Sequence, residues 1–169
     1  MPPPLAELTT AHGASTMTIY LVRHASAGNR VSGMADRQRP LDDTGRETSR
    51  AITNWFGDQT VDSVYSSPAV RCRETVQPLA EARGLTVEIR QELDEGHHGA
   101  ELAATVRRLA RADVEAVLCS HGDLIPAMLE VLATAGVPLA GKLCQKGSLW
   151  ILHTEDGEIT EGRYQPPPG

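Results

Sequence analysis

The chain has 169 residues, 40% of them hydrophobic, and a formal charge of −6. That length supports one substantial core and is too short for two ordinary domains. The acidic balance argues against non-specific binding to nucleic acid or an anionic membrane, so an anionic substrate needs a local cationic pocket.

Residues 1–16 (MPPPLAELTTAHGAST) are rich in Pro, Ala and Thr without an apolar period and read as a flexible leader, with translation starting at Met1 or at Met17. The ordered domain is expected over 17–165, followed by a short tail at 166–169. Thr18–Val22 (TIYLV) is a β-branched and aromatic run that sets Arg23 and His24 at a strand's carboxyl end. A helix is predicted from Thr44, its candidate cap, to Phe56, with Ala51, Ile52, Trp55 and Phe56 on one face. Asp62–Tyr65 reads as a strand, and Ser67-Pro68 as the start of a helix that runs to about Arg83 past an interior Pro78. Leu85–Ile89 alternates as a strand does, and Gly99–Arg111 has a helical composition.

Glu115–Cys119 is a largely apolar run that ends at Ser120-His121-Gly122. Asp123 is a candidate cap for a helix to about Ala135, with Pro126 in its first turn. Two final strands, Gly147–His153 and Glu158–Tyr164, flank an Asp156-Gly157 turn signal. Strands and helices alternate through most of the chain, which predicts an α/β sandwich. Cys72, Cys119 and Cys144 are odd in number and widely spaced, the pattern of reduced thiols in a cytoplasmic protein rather than of a disulfide framework or a zinc knuckle. No apolar run reaches the length of a membrane span, and the N-terminus lacks the basic start and apolar core of a signal peptide.

In α/β sheets ligands gather at the carboxyl ends of strands, and two predicted strands end in Arg23-His24 and Ser120-His121. A lone histidine is more often structural, which is the reading for His12 and His153. Two strand-end histidines, one beside an arginine, point to a site.

Leu21-Val22-Arg23-His24-Ala25 resembles the first signature of the histidine phosphatase superfamily, the phosphoglycerate mutase-like proteins. Ser66-Ser67-Pro68 with Arg71 three residues after the proline is similar to the second motif, Leu93-Asp94-Glu95-Gly96 to the segment carrying the acid–base glutamate, and Ser120-His121-Gly122 to the third. The four occur in the family's order over most of 18–122. The form with Ala25, and the basic loop holding Arg30, Arg37 and Arg39, resemble the small bacterial phosphohistidine phosphatases. Cys119–Pro126 and Lys146–Trp150 resemble phosphatase domains fused to Nudix hydrolases.

The resemblance implies a three-layer α/β/α sandwich around a mostly parallel sheet, and a metal-independent phosphatase that needs no cofactor. Arg23 and Arg71 suit the clamping of a phosphate dianion, because guanidinium is a permanent, bidentate cation. His24 is the expected nucleophile, passing through a phosphohistidine. The resemblance makes His121 a phosphate ligand and catalytic stabiliser, and Glu95 the group that protonates the leaving oxygen and then activates water. Glu92 and Asp94 remain alternatives to Glu95, and Arg30 is a candidate for a further substrate contact. A metal on Asp94, His97 and His98 is disfavoured, since no spaced partner is evident. The expected partners are phosphorylated small molecules, nucleotides among them, or a phosphohistidine-bearing protein. A phosphate-binding regulatory module with little turnover is the other class of function that keeps such a pocket.

Overall fold

The computed structural model describes residues 15–169. Most of the expected leader, 1–14, lies outside the described residues, and the first strand takes in Thr16. Seven strands form one sheet among these residues: β1 (Thr16–Arg23), β2 (Ser63–Ser66), β3 (Val87–Ile89), β4 (Ala116–Ser120), β5 (Leu139–Ala140), β6 (Leu149–Glu155) and β7 (Glu158–Gln165). The helices are α1 (Asp43–Phe56), α2 (Val70–Ala82), α3 (Gly99–Arg111) and α4 (Leu124–Thr134), with short 3-10 helices at Asp36–Gln38 and Gln91–Leu93. The spatial order is β3-β2-β4-β1-β6-β7-β5. Strands β3, β2, β4 and β1 are mutually parallel, β6 is antiparallel to β1 and β7, and β5 is parallel to β7. The sheet is therefore mostly parallel, as expected.

The apolar run in β1 is continuous because both of its faces are covered. Ile19 and Leu21 join Leu102, Val106, Met128 and Leu132 of α3 and α4. Tyr20 and Val22 join Ile52, Phe56, Cys72 and Val76 of α1 and α2 on the other face. Two helices on each side make the three-layer sandwich.

Several element boundaries differ from the sequence reading for local reasons. The cap of α1 is Asp42 rather than Thr44: its carboxylate accepts from Gly45 N at 2.7 Å and from the Ser26 hydroxyl at 2.6 Å. Helix α2 begins at Val70 rather than at Ser67-Pro68, because the Ser67 hydroxyl is engaged with buried partners of the site. Asp123 stands at the cap position of α4 without a side-chain capping bond. Pro78 does not break α2. The proline leaves the Glu74 carbonyl without its helical donor, and the Ser49 hydroxyl of α1, 3.1 Å away, is shared between it and the Thr75 carbonyl at 2.8 Å.

Candidate active site

The parallel strands β1, β4 and β2 end together, so Arg23-His24, Ser120-His121 and Ser66-Ser67 meet at one edge of the sheet. Backbone bonds hold that edge: His24 N donates to Ser120 O at 3.1 Å, and Ser67 N to Cys119 O at 3.0 Å. Ala25 is fully buried, and its N–H donates to the Thr75 hydroxyl of α2 at 3.0 Å.

His24 is buried, and its Nδ1 lies 2.9 Å from the Ala25 carbonyl. An oxygen there requires the proton on Nδ1, which leaves the Nε2 lone pair free. Burial, reinforced by the positive charges of His121, Arg71 and Arg23, lowers its pKa from 6.5 to about 3, although the Ala25 contact opposes the shift. The ring is thus neutral across the ordinary pH range, with its Nε2 lone pair uncommitted. The His24 and His121 rings meet edge to face with centroids 5.4 Å apart.

Arg71, in the first turn of α2, is 2% exposed. Its guanidinium pairs with Glu95, donates to the Asp36 carbonyl at 2.9 Å and lies 3.3 Å from the Asp36 carboxylate. Arg23 donates to the Cys144 carbonyl at 2.7 Å, and its guanidinium lies flat against Gly122. A β-carbon on Gly122 would sit 2.5 Å from the centre of that guanidinium. If the phosphatase activity that the sequence resemblance implies holds, Gly122→Ala should displace Arg23 and lower kcat/KM on a phosphate ester by roughly tenfold or more, about 1.4 kcal/mol of transition-state binding. Steady-state kinetics beside an unchanged melting temperature checks this.

The segment after β3 brings the acids in. The Ser120 hydroxyl donates to the Leu93 carbonyl at 2.7 Å, which pins the turn carrying Asp94 and Glu95 to the end of β4. Glu95 Oε1 lies 3.0 Å from His121 Nδ1 and also pairs with Arg71. Glu92 faces elsewhere, toward Arg90 at 3.2 Å and Thr105 at 3.1 Å. Asp94 is buried and pairs with Arg37. Of the three candidate carboxylates, the structure brings Glu95 against both Arg71 and His121.

Arg30 is not drawn in with the others. Its side chain is 79% exposed and lies 3.5 Å from Asp36, which also holds Arg39 at 3.0 Å. His97 lies 3.4 Å from Glu101 in α3, and no cluster of three His, Cys, Asp or Glu suited to a metal occurs among the described residues. Sequence reasoning passed over Asp36, whose partner Arg71 is 35 residues away, and the Ser67 hydroxyl, 2.8 Å from His121 Nε2. No periodicity marks either. Only the place of Ser67 inside the second motif hinted at a role.

Residues 19–112 match the model of the histidine phosphatase superfamily, branch 1. The chain belongs to this superfamily. It is 32% identical over 160 residues to an 8-oxo-(d)GTP phosphatase of Mycolicibacterium smegmatis, an alignment that takes in 90% of this chain and 49% of that protein. The chain thus spans about half the length of that relative. The phosphohistidine phosphatase SixA of Escherichia coli is 27% identical over 127 residues, 72% of this chain and 78% of its own. The fold is shared with the solved structure of the protein histidine phosphatase SixA complexed with tungstate, at a TM-score of 0.68, 22% identity, and coverage of 88% of this chain and 94% of that one. No helix among the described residues is long and apolar enough to cross a membrane.

Proposed function

We propose that this member of the superfamily is a metal-independent phosphatase that hydrolyses phosphorylated substrates through a phosphohistidine on His24. One observation carries the reading. Among the described residues, the buried side-chain nitrogens and oxygens without a hydrogen-bond partner are Arg23 Nε, Arg71 Nε and His121 Nδ1. Glu95 Oε1 stands 3.0 Å from the last of these but is poorly aligned for a hydrogen bond. Unpaired buried donors are costly, on the order of 1–3 kcal/mol each. Three around one neutral histidine, with His121 Nδ1 a donor when its ring is charged, suit an anion whose oxygens accept from all of them.

The chemistry follows from the geometry. His24 Nε2 attacks phosphorus while Arg23, Arg71 and His121 spread the charge of the phosphoryl oxygens, the task a metal performs elsewhere. The ester P–O bond breaks as P–N forms, and Glu95 protonates the departing oxygen. A water then attacks phosphorus, Glu95 takes its proton, and the P–N bond breaks to give inorganic phosphate and free His24.

The name of the mycobacterial relative supports a nucleotide as substrate, and that of SixA supports phosphohistidine. Both belong in the substrate panel, with the protein placed in the cytoplasm. Arg30, exposed beside Asp36, is proposed only as a contact for parts of the substrate beyond the phosphoryl group.

Turnover of an aryl phosphate with chelator present, quenched in denaturant, should leave an acid-labile phosphoryl group on His24. Chelator-sensitive turnover would sink the metal-free mechanism. Stable phosphate binding, with neither turnover nor label across the panel, would favour the regulatory module. Glu95→Gln should slow esters of poor leaving groups by roughly 10²- to 10⁴-fold and aryl phosphates far less. Equal slowing of both classes would remove Glu95 as the acid.

A further inference from the structure

Ser67 and Asp94 have no part in the mechanism above, yet both are buried directly behind His121. The Ser67 oxygen has three neighbours: Ala69 N at 3.2 Å, Asp94 Oδ1 at 3.4 Å and His121 Nε2 at 2.8 Å. A hydroxyl offers one proton and two lone pairs. The Ala69 N–H takes one lone pair. The Asp94 carboxylate only accepts, so it takes the hydroxyl proton, and the second lone pair is left facing His121 Nε2. The other groups near Nε2 are compatible with this: Asp94 Oδ1 itself lies at 3.7 Å and only accepts, and Cys72 Sγ, at 3.5 Å, is free to accept because its thiol proton is given to the Ser120 carbonyl at 3.7 Å.

We propose that Ser67, oriented by Asp94, is a positioning residue that keeps a proton on His121 Nε2, so that the proton His121 gains and loses is the one on Nδ1, facing the pocket. The functional consequence rests on the phosphatase reading, but the tautomer itself does not. With Nε2 committed, neutral His121 turns a bare lone pair toward a phosphoryl oxygen and repels it. The imidazolium turns an N–H toward the same oxygen and binds it. His121 therefore acts as a ligand only when charged.

Titratable and charged groups surround the ring from several elements: Arg23 and His24 from the end of β1, Arg71 and Cys72 from α2, and Asp94 and Glu95 from the turn after β3. Burial disfavours the cation, but contact with Cys72 and the Glu95 carboxylate outweigh it, and the pKa rises above 6.5 despite Arg71. For a raised pKa the proton is held below that value and lost as pH climbs through it, so activity should fall on the alkaline side.

The test is nitrogen NMR of the His121 ring in wild type and Asp94→Asn, beside pH profiles of kcat. Neutral His121 in the wild type should be the Nε2–H tautomer. In Asp94→Asn the side-chain oxygen stays on the Glu95 N–H, 2.9 Å away in the wild type, but as a neutral acceptor it holds the Ser67 proton less strongly than the carboxylate does, so that proton turns to Nε2 and the neutral ring should shift toward Nδ1–H. The alkaline fall in kcat should flatten, and kcat at the optimum should drop by about tenfold with KM changed less. Cys72→Ala should keep the wild-type tautomer. If Asp94→Asn does not fold, Ser67→Ala should lose the exclusive Nε2–H signal. A wild-type ring in the Nδ1–H form, or variants that keep both the wild-type tautomer and its alkaline limb, would overturn the proposal. Because the spectra are read without substrate, a protein lacking phosphatase activity fails the functional reading while the tautomer is still decided.

Discussion

His24→Ala is expected to abolish turnover, with kcat falling by roughly 10⁵- to 10⁶-fold, the scale seen when a covalent nucleophile is removed. The fold should survive, because the sheet edge is held by the backbone bonds of residue 24 and by Ala25, not by the imidazole. A stability signature accompanies the loss. The folded protein refuses a proton at His24 until about pH 3, whereas the unfolded chain accepts one near 6.5. The sign is that of a depressed pKa: stability is whole above 6.5 and is lost as pH falls toward 3. Removing the ring removes that component, up to about 2 kcal/mol between pH 7 and pH 5. Melting temperatures at the two pH values should therefore differ less in the variant than in wild type. Unchanged turnover in His24→Ala would discard the mechanism outright, and an unchanged pH dependence of melting would show that the ring is not held neutral.

Arg71→Ala is expected to cost roughly 10²- to 10³-fold in kcat, about 3–4 kcal/mol of transition-state stabilisation, the magnitude for one preorganised charge donor. The stability cost should be smaller. Asp36 keeps Arg30 and Arg39, and Glu95 is 45% exposed and open to water. Arg71→Lys should recover only part of the rate, since an ammonium restores charge without the planar fork. Kinetics and melting on both variants separate the two effects. Wild-type rates in Arg71→Ala would mean that the cation is only a brace for the loop carrying Asp36.

Much of this site is legible in the sequence, for a physical reason. Strands buried on both faces read as unbroken apolar runs, so TIYLV and EAVLC mark where β1 and β4 end, and Arg-His stands after the first and Ser-His after the second. Helix α3 is equally plain from composition. Less visible are features that depend on partners distant in sequence. Thr44 and Asp42 are both chemically able to cap α1, and only the position of Ser26 decides for Asp42. Ser67 reads as a helix cap until His121, 54 residues later, is seen to occupy its oxygen. That α2 runs past Pro78 is legible, but the Ser49 hydroxyl beside the orphaned Glu74 carbonyl is not. Strand β5, two residues long, is too short to leave a pattern.

The Glu95 carboxylate rests on Arg71 and beside His121 through a tether whose length the chain sets. It is an internal competitor at a fixed effective concentration. On the proposed reaction, an entering anion must displace it, and a departing phosphate finds its seat reclaimed without waiting for diffusion. Such a pocket should favour release over retention. Inorganic phosphate is then expected to inhibit weakly, with the full grip reserved for a group that also engages His24.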